Sequence, residues 1–69
     1  MNQHQRIFQY IHDFGSITPM QAFSDLGITK LSTRIGELIK EGYNIVKEYV
    51  SGLNRYGEKV WFMRYKFGD

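Results

Sequence analysis

The fold is decided by residues 18–42, which read TPMQAFSDLGITKLSTRIGELIKEG. Thr18 is suited to cap a helix, and Pro19 favours the first helical position because its missing N–H needs no partner there. Gln21 can complete a capping box with Thr18. Gly27 is suited to end the helix, since glycine adopts the left-handed conformation without strain. We therefore predict a short helix from Pro19 to the residue before Gly27. Its apolar residues available for burial are Met20, Ala22, Phe23 and Leu26.

A second, longer helix follows after only three residues. Ile28 can fill the corner between the two helices, and Thr29 is suited to cap the second one. Lys40 in the last turn is favoured by the helix dipole, and Gly42 provides the stop. The apolar residues recur at helical spacing and predict one buried stripe. That stripe consists of Leu31, Ile35, Leu38 and Ile39.

Another helix precedes this pair. Asn2 can cap it, and Ile7, Ile11 and Phe14 fall on one face, with further aromatic residues beside them. Gly15 can end the helix in the left-handed conformation. A short extended link, a candidate strand, then leads to Thr18.

After Gly42 the pattern changes from helical to strand-like. Residues 45–51 and 59–67 are rich in β-branched and aromatic side chains, and the segment between them is rich in turn residues. This combination predicts a long two-stranded antiparallel hairpin.

The order of elements predicts an α+β fold. A short helix joined tightly to a longer one is the helix-turn-helix unit. A supporting first helix and a hairpin directly after the third helix make it a winged helix-turn-helix, with the whole chain, 1–69, as one domain. The predicted helices span about 2–14, 19–26 and 30–41, and the hairpin strands about 45–51 and 59–67.

The composition limits the classes of function. The net charge of +2 and the isoelectric point near 9.0 permit nucleic-acid binding without requiring it. The chain has no cysteine, so it can form no disulfide and has no thiolate to bind zinc or act as a nucleophile. No apolar run approaches the roughly 20 residues that span a bilayer, and the polar N-terminus leads into no signal peptide. We therefore expect a soluble, cytoplasmic protein with no membrane partner.

Catalysis and metal binding find little support. His4 and His12 are the only histidines, and no paired carboxylates accompany them. His12 and Asp13 are sequence neighbours, which on a helix are not expected to face each other. We predict that the protein is not an enzyme and needs no cofactor or metal.

The third helix carries the candidate DNA contacts, because the second helix of a helix-turn-helix unit lies in the major groove. A helical wheel places its polar side chains away from the apolar stripe. Arg34 lies near the edge of the stripe, so its alternative role is to brace the fold instead of contacting DNA. Glu37 is either an acceptor for cytosine or an intrahelical partner of Lys40 or Arg34. The candidates are Lys30, Ser32, Thr33, Arg34, Glu37 and Lys40, and the alternative for the whole set is an ordinary solvated face.

The tip of the hairpin adds Asn54, Arg55 and Lys59, which suit phosphates or the minor groove. The alternative is a solvated turn in which Asn54 serves backbone geometry and Arg55 pairs with Glu58.

The last strand is apolar on both faces at its start. Trp61, Met63, Tyr65 and Phe67 line one face, and Val60 and Phe62 lie on the other. Such a strand is covered on both sides or has a partner. We therefore hypothesise a protein interface at Val60 and Phe62, used for a homodimer or a host protein. The alternative is that these side chains fold over the hairpin tip or against Tyr49.

Four stretches together resemble a known family. Residues 17–23 (ITPMQAF), 26–38 (LGITKLSTRIGEL), 42–45 (GYNI) and 54–60 (NRYGEKV) are similar to the small helix-turn-helix domain proteins encoded by phages and prophages of Gram-positive bacteria. The resemblance implies a winged helix-turn-helix fold, binding of double-stranded DNA, and a phage or prophage origin in a bacterial host. The chain departs from the family at Gly36, where a larger residue is expected, and at residues 61–63, which are unusually aromatic.

The sequence thus favours a DNA-binding protein that regulates transcription or assists recombination. The alternative is a winged-helix protein-interaction module, such as a phage inhibitor that binds a host protein through its aromatic hairpin.

Overall fold

A computed structural model of the protein describes residues 1–68. Three helices are followed by a two-stranded antiparallel sheet, as the sequence predicts. The first two helices agree with their predicted bounds to within one residue, and the first strand is two residues longer than predicted. The elements are α1 (Gln3–Phe14), α2 (Pro19–Leu26), α3 (Leu31–Lys40), β1 (Ile45–Leu53) and β2 (Lys59–Phe67).

Two reciprocal capping boxes start the first two helices. The Asn2 side chain accepts a hydrogen bond from the Gln5 N–H at 2.8 Å, and the Gln5 side chain accepts one from the Asn2 N–H at 2.9 Å. Thr18 and Gln21 make the same pair of bonds at the start of α2, at 3.2 and 3.0 Å. Each box satisfies N–H groups that the helix itself leaves without partners.

The turn between α2 and α3 is built as predicted, except for the cap of α3. Gly27 adopts a φ of 70°, in the left-handed region, and Ile28 is buried with 1% of its surface exposed. The predicted cap Thr29 is wrong: α3 begins at Leu31, its N-cap is Lys30, and no side chain caps it. The lysine side chain has no acceptor to offer, so the first N–H groups of α3 lack an intramolecular side-chain partner.

The core combines all three helices with the base of the hairpin. Its five fully buried large side chains are isoleucines, and Ile45 and Tyr65 join them from the sheet. Each such side chain contributes about 1.5–3 kcal/mol by leaving water. Burial also raises the pKa of Tyr65. The five isoleucines are Ile7, Ile11, Ile17, Ile28 and Ile35.

The link after α1 is a single bridge, which corresponds to the candidate strand. The Ile17 N–H donates to the Tyr65 carbonyl at 2.8 Å, and the Tyr65 N–H donates to the Ile17 carbonyl at 2.9 Å. Ile17 therefore fastens the segment before α2 to the base of β2.

Several predicted core positions are exposed. Phe14 is 70% exposed and lies against Tyr10, which takes the predicted place of Phe14 in the core. The Tyr10 hydroxyl donates to Asp25 Oδ2 at 2.5 Å, joining α1 to α2, and this bond together with burial raises the pKa of Tyr10. Met20 and Phe23 are also exposed, because the short α2 buries only Ala22 fully. Ile39, at the edge of the α3 stripe, is 40% exposed.

The hairpin extends beyond the helices. Its two nine-residue strands are each about 30 Å long, against a longest dimension of 39 Å for the molecule. Alternate residues share a face, so the register divides the hairpin into two faces. The inner face carries Ile45 and Tyr65 into the core, with Phe67 packed against it, and continues outward through Lys47, Tyr49, Ser51, Leu53, Lys59, Trp61 and Met63. The outer face carries Val46, Glu48, Val50, Gly52, Val60, Phe62, Arg64 and Lys66.

Candidate nucleic-acid interface

Helix α3 has a polar face that no other part of the described chain covers. Leu31, Ile35 and Leu38 turn one side of the helix into the core. The residues on the opposite side are exposed, and they are short or carry a flexible cation. They are Ser32, Thr33, Gly36 and Lys40.

Arg34 and Glu37 belong to a contact between α3 and α1. The Arg34 guanidinium donates to Glu37 Oε1 at 2.8 Å, and His4 Nε2 lies 2.8 Å from the same oxygen. The bond with His4, followed by the Arg34 charge and bond, lowers the pKa of Glu37, although partial burial opposes this. Arg34 also has a buried Nε with no hydrogen-bond partner. Arg34 therefore braces the fold, which was its alternative role, and Glu37 is its intrahelical partner, which was one of the alternatives for Glu37.

His4 was the member of this cluster that sequence reasoning missed as a partner. It lies 33 residues before Glu37, in the first turn of α1. No local spacing connects the two residues, so only the packing of α1 against α3 brings them together.

Two lysines at the ends of α3 are free to meet an anion. Lys30 precedes the helix as its N-cap and Lys40 ends it, and both are exposed. Neither makes an ion pair with any residue among 1–68. The positive charge available on α3 is therefore at its two ends rather than at Arg34.

The turn of the hairpin is organised by Asn54. Its side-chain oxygen accepts from the N–H groups of Tyr56 and Glu58 at 2.9 and 3.0 Å, and its amide nitrogen donates to the Glu58 carboxylate at 3.1 Å. Gly57 provides the positive φ of 77° that closes the turn. Asn54 therefore serves backbone geometry, which was its alternative role.

Arg55 is the free cation of the turn. It is exposed and makes no ion pair with a residue in the described range, so the alternative pairing with Glu58 is not formed. Lys59 begins β2, and its Nζ lies 4.9 Å from the centre of the Trp61 ring.

The outer face of the hairpin has an ionic base and a partly apolar end. Arg64 and Lys66 both contact the carboxylate of Glu48, with Arg64 Nε donating at 2.6 Å, and these bonds lower the pKa of Glu48. Farther out, the two predicted interface residues Val60 and Phe62 are 37% and 41% exposed. Phe62 lies over Gly52 across the strands, where an added Cβ would come within 3.2 Å of its ring. The outer face is thus partly covered from within.

The inner face is more exposed than the outer face where it passes beyond the core. Tyr49 is 70% exposed, Leu53 72% and Trp61 62%. The sequence predicts Trp61 on a half-buried face, and the alternation is correct. The burial is wrong at this position because the helices end before the hairpin does.

The comparison with known families agrees with this architecture. A family model described as a winged helix-turn-helix domain matches residues 2–60. The chain belongs to the winged helix-turn-helix family. No curated protein and no solved structure matches it significantly. Winged helix-turn-helix domains are generally DNA-binding modules without enzymatic activity; in this family's architecture α3 occupies the position of the recognition helix and the hairpin that of the wing.

A further polar contact of this winged helix lies near the end of α1. His12 and Asp13 do approach each other, contrary to expectation, with Nδ1 3.4 Å from Oδ1, but both side chains are well exposed. Within residues 1–68, no three His, Asp or Glu side chains are grouped to hold a metal ion. No helix in the same range is long and apolar enough to cross a membrane.

Proposed function

We propose that this winged helix binds double-stranded DNA, with α3 in the major groove and the tip of the wing on the neighbouring backbone or minor groove. The observation that carries the proposal is the uncovered polar face of α3, formed by Ser32, Thr33, Gly36 and Lys40. The hydroxyls of Ser32 and Thr33 are adaptable hydrogen-bonding groups for base edges or phosphates.

The free cations support the same arrangement. Lys30 lies directly before the uncovered face and Lys40 at its far end, while Arg55 and Lys59 lie at the end of the wing. Phosphate contacts of this kind supply most of the sequence-independent affinity for DNA and orient the protein on the duplex. Arg34 and Glu37 position α3 against α1, and Asn54 shapes the turn, so we assign these three a supporting role.

Gly36 fits a helix that approaches its partner closely. A Cβ built at this position meets nothing within 4 Å, so no neighbour among residues 1–68 requires glycine there. Glycine in a helix costs about 1 kcal/mol relative to alanine. A close approach of a groove wall to α3 provides a reason for retaining it.

In biological terms, we propose a transcriptional regulator or a recombination accessory factor of phage or prophage origin. The resemblance of residues 17–67 to small phage-encoded helix-turn-helix proteins supports this origin. Both this origin and the uncovered polar face of α3 support DNA binding in a bacterial cell.

The test is an NMR titration of labelled protein with a blunt duplex of roughly 16 base pairs, about one and a half turns. Amide shifts should cluster in α3 and at Arg55 and Lys59, and should fade as salt rises. Lys30→Ala and Arg55→Ala should each reduce the slope of log K against log salt by about 0.9. Lys66→Ala removes the same charge from the outer face and serves as the matched control, with the slope unchanged. The absence of shifts at low salt would remove duplex DNA from the function.

A second candidate is protein binding through the outer face of the wing. The partial exposure of Val60 and Phe62 favours it, either for a homodimer or for a host protein that the domain inhibits. Light scattering at about micromolar concentration distinguishes the homodimer from an 8.2 kDa monomer. A monomer that also binds no duplex would keep a host protein as a candidate partner, and Phe62→Ala should abolish a complex formed through the outer face.

A further inference from the structure

The inner face of the wing combines exposed rings with unopposed positive charge. Tyr49 and Trp61 are diagonal neighbours across the two strands, because Tyr49 pairs with Met63 and Ser51 pairs with Trp61. Such neighbours lie about 7 Å apart. Both rings are well over half exposed, so they form an accessible platform, with the Lys59 side chain lying over the Trp61 ring.

The charges on this face have one sign. Lys47 and Lys59 lie on the inner face with the two rings, and none of the inner-face positions of β1 and β2 is acidic. Glu48 lies on the outer face, held by Arg64 and Lys66. Glu58, in the turn, accepts a hydrogen bond from Asn54. The platform is therefore complementary to a polyanion.

The same positive charges make it unfavourable for a second copy of the chain to bind at this face. Two inner faces packed together would bring four lysines into one interface with no carboxylate to pair with them, and like charges across an interface are unfavourable. A ligand that supplies both flat π-faces and negative charge matches the surface better. Unpaired nucleotides have both properties, since every base has a π-face and every link carries a phosphate.

We propose that the inner face of the wing is a binding site for single-stranded nucleic acid, in which bases stack on Tyr49 and Trp61 and phosphates contact Lys47 and Lys59. In a duplex the faces of the bases are covered by their neighbours, so this surface selects unpaired strands. Lys59 already lies against the Trp61 ring. A stacked base displaces it from the ring, because base stacking is stronger than an exposed cation–π contact, and leaves its ammonium beside the phosphate.

The site goes beyond the proposed duplex contact of α3 and does not depend on it. The rings and Lys47 take no part in the duplex test, and Lys59 is the residue that the two proposed sites share. A protein that fails to bind duplex can still bind a single strand here, and the reverse also holds.

Trp61 is the only tryptophan of the chain, so its fluorescence reports on this surface directly. The probe is an oligothymidylate of about ten nucleotides, within the usual site sizes. We expect saturable quenching of Trp61 that weakens with salt, and clearly weaker quenching by a blunt duplex, which reaches this surface at Lys59 without stacking on the rings. An oligouridylate of the same length shows whether the site distinguishes DNA from RNA, and stacking on both would still support it.

Three variants test the contacts, and their folding is checked by thermal melting. Tyr49→Ala should weaken oligothymidylate binding about tenfold and leave duplex binding unchanged. Lys47→Ala and Lys59→Ala should each lower the salt slope by about 0.7. Lys66→Ala is the matched control for charge, because Lys66 lies on the outer face, and it should change nothing.

An abasic oligonucleotide of the same length separates stacking from charge. It carries the same phosphates without bases and should bind far more weakly than oligothymidylate. Equal binding of the two, equal quenching by the blunt duplex, or an unaffected Tyr49→Ala variant would each overturn the proposal. A change in Trp61 emission with protein concentration alone would indicate a second copy as the occupant and would also overturn it.

Discussion

The helical body and the distal wing use aromatic and aliphatic side chains in opposite ways. In the body, α1–α3 and the base of the hairpin bury a cluster of isoleucines around Tyr65. In the distal wing, residues 49–63, large side chains such as Trp61 and Leu53 remain more than 60% exposed. The body therefore supplies most of the burial that stabilises the fold, whereas the inner face of the distal wing leaves much of its apolar surface exposed. A surface kept exposed in this way is available for a ligand.

The largest effect that separates the two regions is on stability. Ile35 is completely buried, so Ile35→Ala should lower the free energy of unfolding by about 3 kcal/mol, through lost burial and the cavity that remains. Leu53→Ala removes a side chain of similar size that is 72% exposed, and its cost should stay below about 0.5 kcal/mol. Urea unfolding followed by circular dichroism measures both. Equal losses would show that the distal wing packs against something in solution.

A smaller effect distinguishes two glycines within the body. Gly27 adopts a positive φ, so Gly27→Ala should destabilise the protein by about 1 kcal/mol. Gly36 is in ordinary helical conformation with open space around it, so Gly36→Ala should stabilise the protein by about 1 kcal/mol.

Thermal melting gives the sign of each change, and the duplex titration adds a second readout. If α3 lies close to a groove wall, Gly36→Ala weakens duplex binding although it stabilises the fold. A variant that gains stability and keeps its full affinity would place the groove wall elsewhere.

The smallest effect is the loss of stability at low pH. It compares Glu37, which connects α3 to α1, with Glu48, which connects β1 to β2. The pKa values of Glu37 and Glu48 are both lowered from 4.5 in the folded state. Their contribution to stability is therefore fully present above pH 4.5, the ordinary value, and is lost as the pH falls through the lowered pKa of the folded state. Unfolding measured from about pH 6 down to about pH 3 should show this loss.

Two single variants assign the acid dependence to regions. Glu37→Gln should flatten the part due to the contact between α1 and α3, and Glu48→Gln the part due to the base of the wing. The effects should add, because the two sites share no partner. If neither variant changes the dependence of the unfolding free energy on pH, solvent and salt screen both contacts so strongly that they contribute no stability.

Only part of the candidate site could be predicted from the sequence. Some of its residues depend on their sequence neighbours, whereas others depend on contacts between elements that are distant in the chain. The cap at Thr18, the turn at Gly27 and the alternation of the hairpin depend on neighbours within a few residues, and all were predicted correctly. The exposure of Lys30 and Lys40 follows from helical periodicity in the same way. Arg34 lies at the edge of the buried stripe, where periodicity does not decide between solvent and a neighbouring helix.

The sequence by itself determined the order of elements, the winged helix-turn-helix class and the polar face of α3, because capping, periodicity and turn chemistry act locally along the chain. Only the tertiary structure decided that Glu37 joins His4, that Tyr10 rather than Phe14 enters the core, and that the wing extends past the helices with Tyr49 and Trp61 uncovered. These outcomes depend on how far each element extends past its neighbours, and no pattern within a single element encodes that distance.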